Sequence, residues 1–165
     1  MAVDLPLPLL DVDGVLNPFA AAACPQGFTE HEFFLHAGPV RLNKVHGRWL
    51  RGLAEHFEIV WATGWEEDAN DLLSPILGLP RLPVILFPPK PFEPREKVPP
   101  VAAFVGDRAA AWVDDAMTPQ ARAWAAGRTA ATLLVGIDPG VGLTRDAVER
   151  LSGWSLDLGQ RTSGC

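Results

Sequence analysis

The sequence predicts an α/β fold in which helices cover both faces of a parallel sheet. Short apolar runs alternate along the chain with segments of helical pattern, and this alternation is typical of parallel sheets. A length of 165 residues suits one domain with one core. The hydrophobic fraction of 48% and the charged fraction of 21% are those of an ordinary globular protein. We therefore expect a single domain over residues 1–165.

The first strand is predicted at Leu7–Val12. Pro8 is placed at the entry of this strand, because proline cannot donate a hydrogen bond to a neighbouring strand. Residues 17–42 are too many for a simple connection, and they contain four phenylalanines. Loops of this length in compact domains are usually functional or disordered. We therefore predict a flap insertion here, with Thr29–His36 as one arm of a β-hairpin.

A helix is predicted at Asn43–Phe57, with Asn43 as its N-cap. Its large apolar residues recur four apart along one face, at Val45, Trp49, Leu53 and Phe57. The second strand is predicted at Ile59–Ala62. The next helix is predicted at Trp65–Leu77, where the acidic residues of the first turn suit the positive end of the helix dipole.

Residues 78–100 contain eight prolines and are predicted to form an insertion, with a short strand at Val84–Phe87 inside it. A short helix at Pro99–Val105 then leads to a strand at Ala110–Val113. Thr118 followed by Pro119 predicts a helix start, and this helix should stop at Gly127. The remaining elements are a strand at Thr132–Ile137 and a helix at Thr144–Leu151, with none predicted from Gly153 onward.

The charge and cysteine content exclude several classes of protein. A formal net charge of −6 argues against a general nucleic-acid-binding sleeve, although a metal ion and one lysine can still attract a phosphorylated substrate. The two cysteines, Cys24 and Cys165, provide neither a disulfide framework nor a zinc-binding spacing. Only three lysines are present, Lys44, Lys90 and Lys97, so each is a candidate worth weighing.

The N-terminal residues do not resemble a signal peptide. They lack a basic region, and Pro6 and Pro8 interrupt their apolar run. No apolar stretch approaches the ~20 residues that a membrane-spanning helix needs. We therefore expect a cytoplasmic location and no contact with membranes.

A pair of carboxylates follows the first strand in the motif Asp-Val-Asp-Gly-Val-Leu-Asn at residues 11–17. Asp11 and Asp13 stand two apart where the strand ends, and Gly14 allows a tight turn. Carboxylates at such a strand end point into a cleft, where they can share a divalent cation and still leave one oxygen free to attack. This is the chemistry of an enzyme that forms an aspartyl phosphate.

Three further elements follow in order. They are Thr63-Gly64 after the second strand, Lys97, and the pair Asp114-Asp115 after another strand. Together with residues 11–17 they resemble the haloacid dehalogenase-like (HAD) superfamily in its phosphatase form, a small capless type with a flap, over roughly residues 7–152. The resemblance implies a three-layer, Rossmann-like parallel sheet with helices on both faces. It also implies a Mg²⁺-dependent phosphomonoester hydrolase.

The resemblance implies a role for each residue of the motifs. Asp11 would be the nucleophile and a metal ligand. Asp13 would act as general acid and then as general base, and its backbone carbonyl would bind the metal. Thr63 and the backbone of Gly64 would bind phosphoryl oxygens, although an ordinary N-cap threonine has the same sequence pattern.

Lys97 would neutralise the phosphoryl oxygens and the charge on Asp11. Lys90 is the alternative, because it also precedes Asp114 in the proline-rich segment. Asp114 and Asp115 would complete the metal site, with Asp114 as the direct ligand and Asp115 bound directly or through water. An oxygen-rich site of this kind indicates Mg²⁺.

The small insertions imply an open site that suits a bulky substrate, such as a nucleotide, a nucleic-acid end or a phosphoprotein, or a partner subunit as a lid. Trp65, Phe33 and His31 are candidates for substrate contact. The flap aromatics Phe33 and Phe34 can stack on a base or sugar, or they can simply pack the hairpin on the domain. The compact layout also resembles HAD domains associated with RNA repair. The oligomeric state does not follow from the sequence.

Other functions use similar residues. A receiver domain has its acidic pair first and its lysine last, whereas here the pair comes last. Glycosyltransferases that bind a metal through a paired-aspartate motif need more chain for a nucleotide-sugar site. A catalytically silent HAD-like module that binds a phosphorylated ligand or regulates a partner stays open as the alternative.

Overall fold

A parallel sheet lies at the centre of the molecule, which a computed structural model describes over residues 4–162. The strands, numbered in chain order, are β1 (Leu7–Leu10), β2 (Thr29–His31), β3 (Val40–Leu42), β4 (Val60–Trp61), β5 (Ala110–Asp114) and β6 (Thr132–Gly136). The central sheet has the order β4-β1-β5-β6, and each neighbouring pair in it is parallel. The parallel α/β fold predicted from the sequence is therefore confirmed.

Helices cover both faces of this sheet. They are α1 (Lys44–Leu53), α2 (Ser74–Leu77), α3 (Val98–Val105), α4 (Pro119–Ala126) and α5 (Arg145–Thr162). The first, second and fifth helices contribute buried leucines to one apolar cluster, and the third and fourth contribute Val101 and Ala121 to another. The molecule thus has the three layers that the sequence predicted.

Alternation of side chains along the strands separates the two clusters. Leu9 and Trp112 belong to the cluster under α3 and α4, whereas their neighbours Leu10 and Val113 belong to the cluster under α1, α2 and α5. Successive residues of a strand point to opposite faces, so a strand buried on both faces reads as a continuous apolar run. This is the reason that the strand positions could be predicted from short apolar runs.

Pro8 is the second residue of the central strand β1 rather than lying at its entry. The N–H groups of Leu7 and Asp11 donate towards the β5 side, to the carbonyl oxygens of Ala109 and Val113. The backbone N–H groups of even-numbered residues in β1 therefore point towards β4. However, β4 pairs only with Leu9 and Leu10. Pro8 has no N–H to donate, but it is not paired with β4, so the sheet loses no hydrogen bond at this position.

The predicted flap is present, and its base is a short hairpin. β2 and β3 pair in antiparallel register, with His31 opposite Val40. β2 ends at His31 instead of His36, because the chain turns there and the backbone N–H of Ala37 bonds to the carbonyl oxygen of Phe34. Residues 17–42 therefore form a hairpin with an irregular tip, joined to the core through buried side chains of β3.

The helix α1 begins as predicted, since the side chain of Asn43 accepts from the N–H of Val45 at 3.0 Å. It ends at Leu53, four residues earlier than predicted, and its buried face is built around His46 and Leu50 rather than Val45 and Trp49. The apolar pattern missed this rotation, because it counts histidine as a polar surface residue.

The helix predicted at Trp65–Leu77 is irregular. A wide π-helical turn at Ala69–Leu73 precedes the short α2. Pro75 in α2 lacks the N–H that would continue an α-helical ladder, and the buried amide of Asn70 bonds to Trp61 and Leu82 instead of facing solvent. These long-range bonds hold the wide turn in place.

Two other predicted elements differ in length. The strand predicted at Val84–Phe87 is reduced to a single bridge between Val84 and Trp61, because β4 is only two residues long. The last helix, α5, extends to Thr162 instead of stopping at Leu151, and it includes residues 153–162, for which no element was predicted. Cys165 lies outside the described residues. Over the described part of the chain, no helix combines the length and apolarity needed to cross a bilayer.

His46 joins α1 to the segment that precedes α5. Its side chain is 1% exposed, and its Nε2 lies 3.0 Å from the carbonyl oxygen of Leu143. Because that oxygen can only accept, Nε2 carries the proton of the neutral ring, and within residues 4–162 Nδ1 has no hydrogen-bond partner. Burial lowers the pKa of His46 to about 4, although the bond to Leu143 opposes this effect. The ring is therefore neutral in the folded protein near pH 7.

We expect acid to destabilise the fold through His46. The unfolded chain takes up the proton near the ordinary pKa of 6.5, whereas folded His46 takes it up only near 4. The contribution of neutral, buried His46 to the free energy of unfolding is therefore fully present above pH 6.5 and is lost as the pH falls towards 4. The His46→Gln variant keeps a donor for Leu143 without the titration. Between about pH 7 and about pH 4.5 its free energy of unfolding in urea should fall less than that of the wild type, by up to roughly 3 kcal/mol.

The matched control is His56→Gln, which removes an exposed histidine just beyond α1. This variant should keep the acid sensitivity of the wild type. Equal acid sensitivity of the wild type and His46→Gln would contradict the role of His46.

Candidate active site

Three strand ends bring the candidate residues to one edge of the sheet. β1 ends directly before Asp11, β4 ends two residues before Thr63, and β5 ends at Asp114. The chain places β4 on one side of β1 and then crosses over to place β5 on the other side, so the direction of the crossovers reverses at β1. The crevice beyond the carboxyl ends of the strands at such a reversal is the usual ligand site of a parallel sheet.

The side chain of Lys97 lies between two of these strand ends. Its Nζ is 2.8 Å from Oδ2 of Asp11 and 2.7 Å from Oδ2 of Asp114. Lys97, Asp11 and Asp114 are only 7%, 6% and 1% exposed. A 3₁₀ turn at Pro94–Lys97 runs directly into α3 and brings the lysine to this position. The alternative lysine, Lys90, is exposed and lines the cavity without an ion pair to either aspartate.

Backbone donors hold the remaining oxygens of the two buried aspartates. Oδ1 of Asp11 accepts from the N–H of Val12 at 2.8 Å, and Oδ1 of Asp114 accepts from the N–H of Ala116 at 2.9 Å. Each carboxylate is therefore fixed by one backbone group and by the shared Nζ of Lys97. Fixed orientation of this kind is a requirement for a nucleophile and for metal ligands.

The electrostatics of the cluster favour an additional cation. Burial and the nearby charge of Asp114 raise the pKa of Asp11 to about 7, although Lys97 and the N–H of Val12 oppose the rise. Burial and Asp114 also raise the pKa of Asp115. Burial works to lower the pKa of Lys97, but Asp11 and Asp114 outweigh it, so the pKa lies above its ordinary value. One lysine therefore does not fully compensate the carboxylates.

Asp11, Asp114 and Asp115 form a cluster that can hold a metal ion. Each offers a carboxylate oxygen, and these oxygens lie within 4.8 Å of one another. Gly14 makes the approach of Asp115 possible, because a Cβ built on Gly14 would lie 2.3 Å from Cγ of Asp115, and its φ of +79° also favours glycine. An all-oxygen set of ligands in a partly open cavity fits Mg²⁺.

Asp13 lies beside this cluster and is exposed to the cavity. Its Oδ1 accepts from Nδ2 of Asn17 at 2.9 Å, and its Oδ2 accepts from Nε1 of Trp65 at 2.9 Å. The side chain of Asp13 is not among the clustered carboxylates of Asp11, Asp114 and Asp115. A solvent-facing carboxylate next to a buried one can exchange protons with a ligand in the cavity.

Thr63 and Gly64 line the same cavity from the side of β4. The hydroxyl of Thr63 is buried and accepts from the N–H of Trp65 at 3.3 Å. Because the hydroxyl accepts in that bond, its own hydrogen is free to point towards a ligand oxygen. The backbone turns tightly after Thr63, and Glu66 adopts a positive φ of 49° there.

The cavity has a volume of about 870 Å³ and its wall is partly aromatic. Of the three predicted substrate contacts, Trp65 lines the cavity, whereas Phe33 and His31 are not among the residues that line it. His31 and Phe33 stack on each other within the flap, with ring centroids 5.6 Å apart.

Other residues of the cavity lining had no role predicted from the sequence, and four of them are Asn17, Phe19, Arg41 and Phe92. The position of Asn17 could have been noticed in the sequence, because it is a polar residue that ends the apolar part of the motif at residues 11–17. The other three depend on the path of the flap and of the proline-rich segment, which the sequence pattern does not specify.

Comparison with known proteins gives one match. A family model described as the HAD domain in Swiss Army Knife RNA repair proteins matches residues 8–148. The matched range includes each of the candidate motifs from Asp11 to Asp115. Searches of curated proteins and of solved structures return no match.

We expect Mg²⁺ to stabilise the protein through the carboxylate cluster. At a Mg²⁺ concentration about 100-fold above Kd, the melting temperature of the wild type should rise by about 5–10 °C. The Asp114→Asn variant should lose most of this shift, because it removes a buried ligand. Differential scanning fluorimetry with and without Mg²⁺ measures both.

The matched control is Asp157→Asn, an exposed aspartate on α5, which should keep the full shift. A wild-type shift that survives in Asp114→Asn would mean that the cation binds elsewhere.

Proposed function

Because the model of the HAD domain in Swiss Army Knife RNA repair proteins matches residues 8–148, this chain belongs to the HAD family, and we propose that it is a Mg²⁺-dependent phosphomonoester hydrolase. HAD domains are generally hydrolases, phosphatases among them. The observation that carries the proposal is the buried carboxylate of Asp11, held by Lys97 at the floor of a cavity where Asp13 faces solvent. This arrangement supports nucleophilic attack beside a separate proton donor.

In the first step, a carboxylate oxygen of Asp11 attacks phosphorus and forms an aspartyl phosphate. The bond between phosphorus and the leaving oxygen breaks, and Asp13 in its acid form gives that oxygen its proton. Thr63 donates to a phosphoryl oxygen, and the ammonium of Lys97 compensates negative charge at the attacked group. The products of this step are the free alcohol and the phosphorylated enzyme.

In the second step, Asp13 acts as a base. Its carboxylate takes a proton from a water molecule as the water oxygen bonds to phosphorus. The bond from phosphorus to Asp11 breaks, which restores the Asp11 carboxylate and releases inorganic phosphate. Asp13 ends the cycle protonated and ready for the next leaving group.

Asp11, Asp114 and Asp115 would hold Mg²⁺, together with the backbone carbonyl of Asp13, and the ion would supply positive charge against the phosphoryl oxygens. The raised pKa of Asp11 supports this assignment, because Lys97 alone leaves the ionised carboxylates short of positive charge.

The substrate that we propose is the phosphorylated end of an RNA strand. The family description supports RNA repair as the setting. The exposed aromatic surfaces of Phe19 and Phe34 and the basic side chains of Lys90 and Arg41 line the cavity, and they suit a nucleotide next to the scissile phosphate. A net charge of −6 favours contact with a strand end over binding along a long duplex.

We expect the wild type with Mg²⁺ to release phosphate from short single-stranded RNA with a terminal phosphate and from a generic aryl phosphate. The Asp11→Asn variant should be slower by at least about 10³-fold, because the amide is a poor nucleophile. The Asp157→Asn control should match the wild type. Inorganic phosphate release measures all three.

Inactivity of the wild type on both substrates, with tight binding of the phosphorylated RNA, would support the catalytically silent binding module instead. Activity that persists in Asp11→Asn would exclude the aspartyl-phosphate mechanism. RNAs phosphorylated at the 3′ or the 5′ end, compared in the same assay, define which end is used.

We expect a matched pair of substitutions at Thr63 to separate the hydroxyl from the methyl group. Thr63→Ala removes a donor to a charged oxygen and should lower kcat/KM by about 10–100-fold. Thr63→Ser keeps the hydroxyl and should stay within a few-fold of the wild type. Equal losses in the two variants would assign the methyl group, and hence packing, the larger role.

A further inference from the structure

We propose that Trp65 and Asn17 are positioning residues that orient the carboxylate of Asp13 and link its orientation to the flap. This inference rests on the function proposed above, in which Asp13 is the general acid. The two residues approach Asp13 from different sides, Asn17 from the end of the first motif and Trp65 from the loop after β4.

The two donors fix both oxygens of Asp13. Nδ2 of Asn17 lies 2.9 Å from Oδ1, and Nε1 of Trp65 lies 2.9 Å from Oδ2. A carboxylate offers about four lone-pair sites, so two donors leave room on each oxygen for a proton or a substrate group. Since Asp13 itself is exposed, contact with these donors is what limits its rotation.

Asn17 is itself held by the flap. Its side chain is 4% exposed, and its Oδ1 accepts from the backbone N–H of Arg41 in β3 at 3.0 Å. The guanidinium of Arg41 donates to the carbonyl oxygen of Ala21 at 2.8 Å, on the opposite stem of the flap. One amide therefore connects the general acid to the hairpin, and a shift of β3 would move the donor to Asp13.

Trp65 provides a second connection to the flap. Its ring is 9% exposed and lies 5.2 Å from the ring of Phe34 and 6.1 Å from the ring of Phe33, measured between centroids. Its backbone N–H donates to the hydroxyl of Thr63. Trp65 thus contacts the phosphate-binding side of the cavity, the flap tip and the general acid with one side chain and one amide.

Orientation of a general acid matters in proportion to the basicity of the leaving oxygen. A weakly basic leaving group departs without much proton transfer, whereas a strongly basic one depends on a well-placed donor. Loss of a positioning residue should therefore slow substrates with basic leaving groups selectively. A residue that serves only folding or ground-state binding has no reason to discriminate between leaving groups of similar shape.

The test compares kcat/KM, which reports the step that releases the leaving group, for phenyl phosphate and para-nitrophenyl phosphate, which are alike in shape but differ in leaving-group acidity. Trp65→Phe keeps an aromatic ring against the flap and removes the N–H. We expect it to lower kcat/KM for phenyl phosphate by about tenfold more than for para-nitrophenyl phosphate. Asn17→Ala removes the other donor to Asp13 and should also slow phenyl phosphate more than para-nitrophenyl phosphate. Circular dichroism and thermal unfolding verify that each variant is folded.

The matched control is Trp154→Phe, a tryptophan of α5 that stacks on Phe57 and is not part of the cavity lining. It should leave the ratio of the two kcat/KM values unchanged. Equal losses on both substrates in folded Trp65→Phe and Asn17→Ala would overturn the inference while leaving the phosphatase proposal intact. Failure of the phosphatase proposal has a different signature, since the wild type would then hydrolyse neither substrate in an Asp11-dependent manner.

Discussion

The buried ion pairs of Lys97 with Asp11 and Asp114 are the constraint on which the site depends. A charge that is removed from water is tolerated only when partners compensate it, and here one ammonium is shared by two strand ends. The third carboxylate, Asp115, leaves the group with more negative than positive charge. A divalent cation would bring the formal charges of the three carboxylates, the lysine and the ion to zero. The same arrangement therefore fixes the ends of β1 and β5 relative to each other and favours the binding of a metal ion.

The topology of the sheet explains how distant residues reach this arrangement. β1 is central, so the ends of β4 and β5 flank Asp11, and α3 begins directly after Lys97 and returns the chain to β5. The chemistry on the floor of the cavity is thus carried by regular elements. The residues that surround Asp13, in contrast, come from the flap and from the irregular turn after β4. The site combines a floor built on strands and helices with walls that belong to irregular segments of the chain.

Local signals in the sequence were sufficient for the sheet and for the motif residues. The strands could be placed because they are buried on both faces and therefore appear as apolar runs, and Thr118-Pro119 defined a helix start through its own capping chemistry. The features that were missed depend on contacts between distant residues. His46 turned inward because Leu143 offers an acceptor, and the π-helical turn formed around the bonds of Asn70. The donors to Asp13 were missed for the same reason, since Trp65 is 52 residues from its partner.

The flap has a firmly bonded stem and a tip made of exposed residues. At the stem, Asn17 and Arg41 are tied together and to the core, while residues 35–38 at the tip are exposed. Residues 35–38 lie beyond Phe33 and Phe34, whose rings contact Trp65, so substitutions at 35–38 reshape the entrance without removing a donor to Asp13 or a member of the carboxylate cluster. Descendants of such a domain can acquire new substrate preferences by changing a few tip residues, without having to evolve the chemistry again.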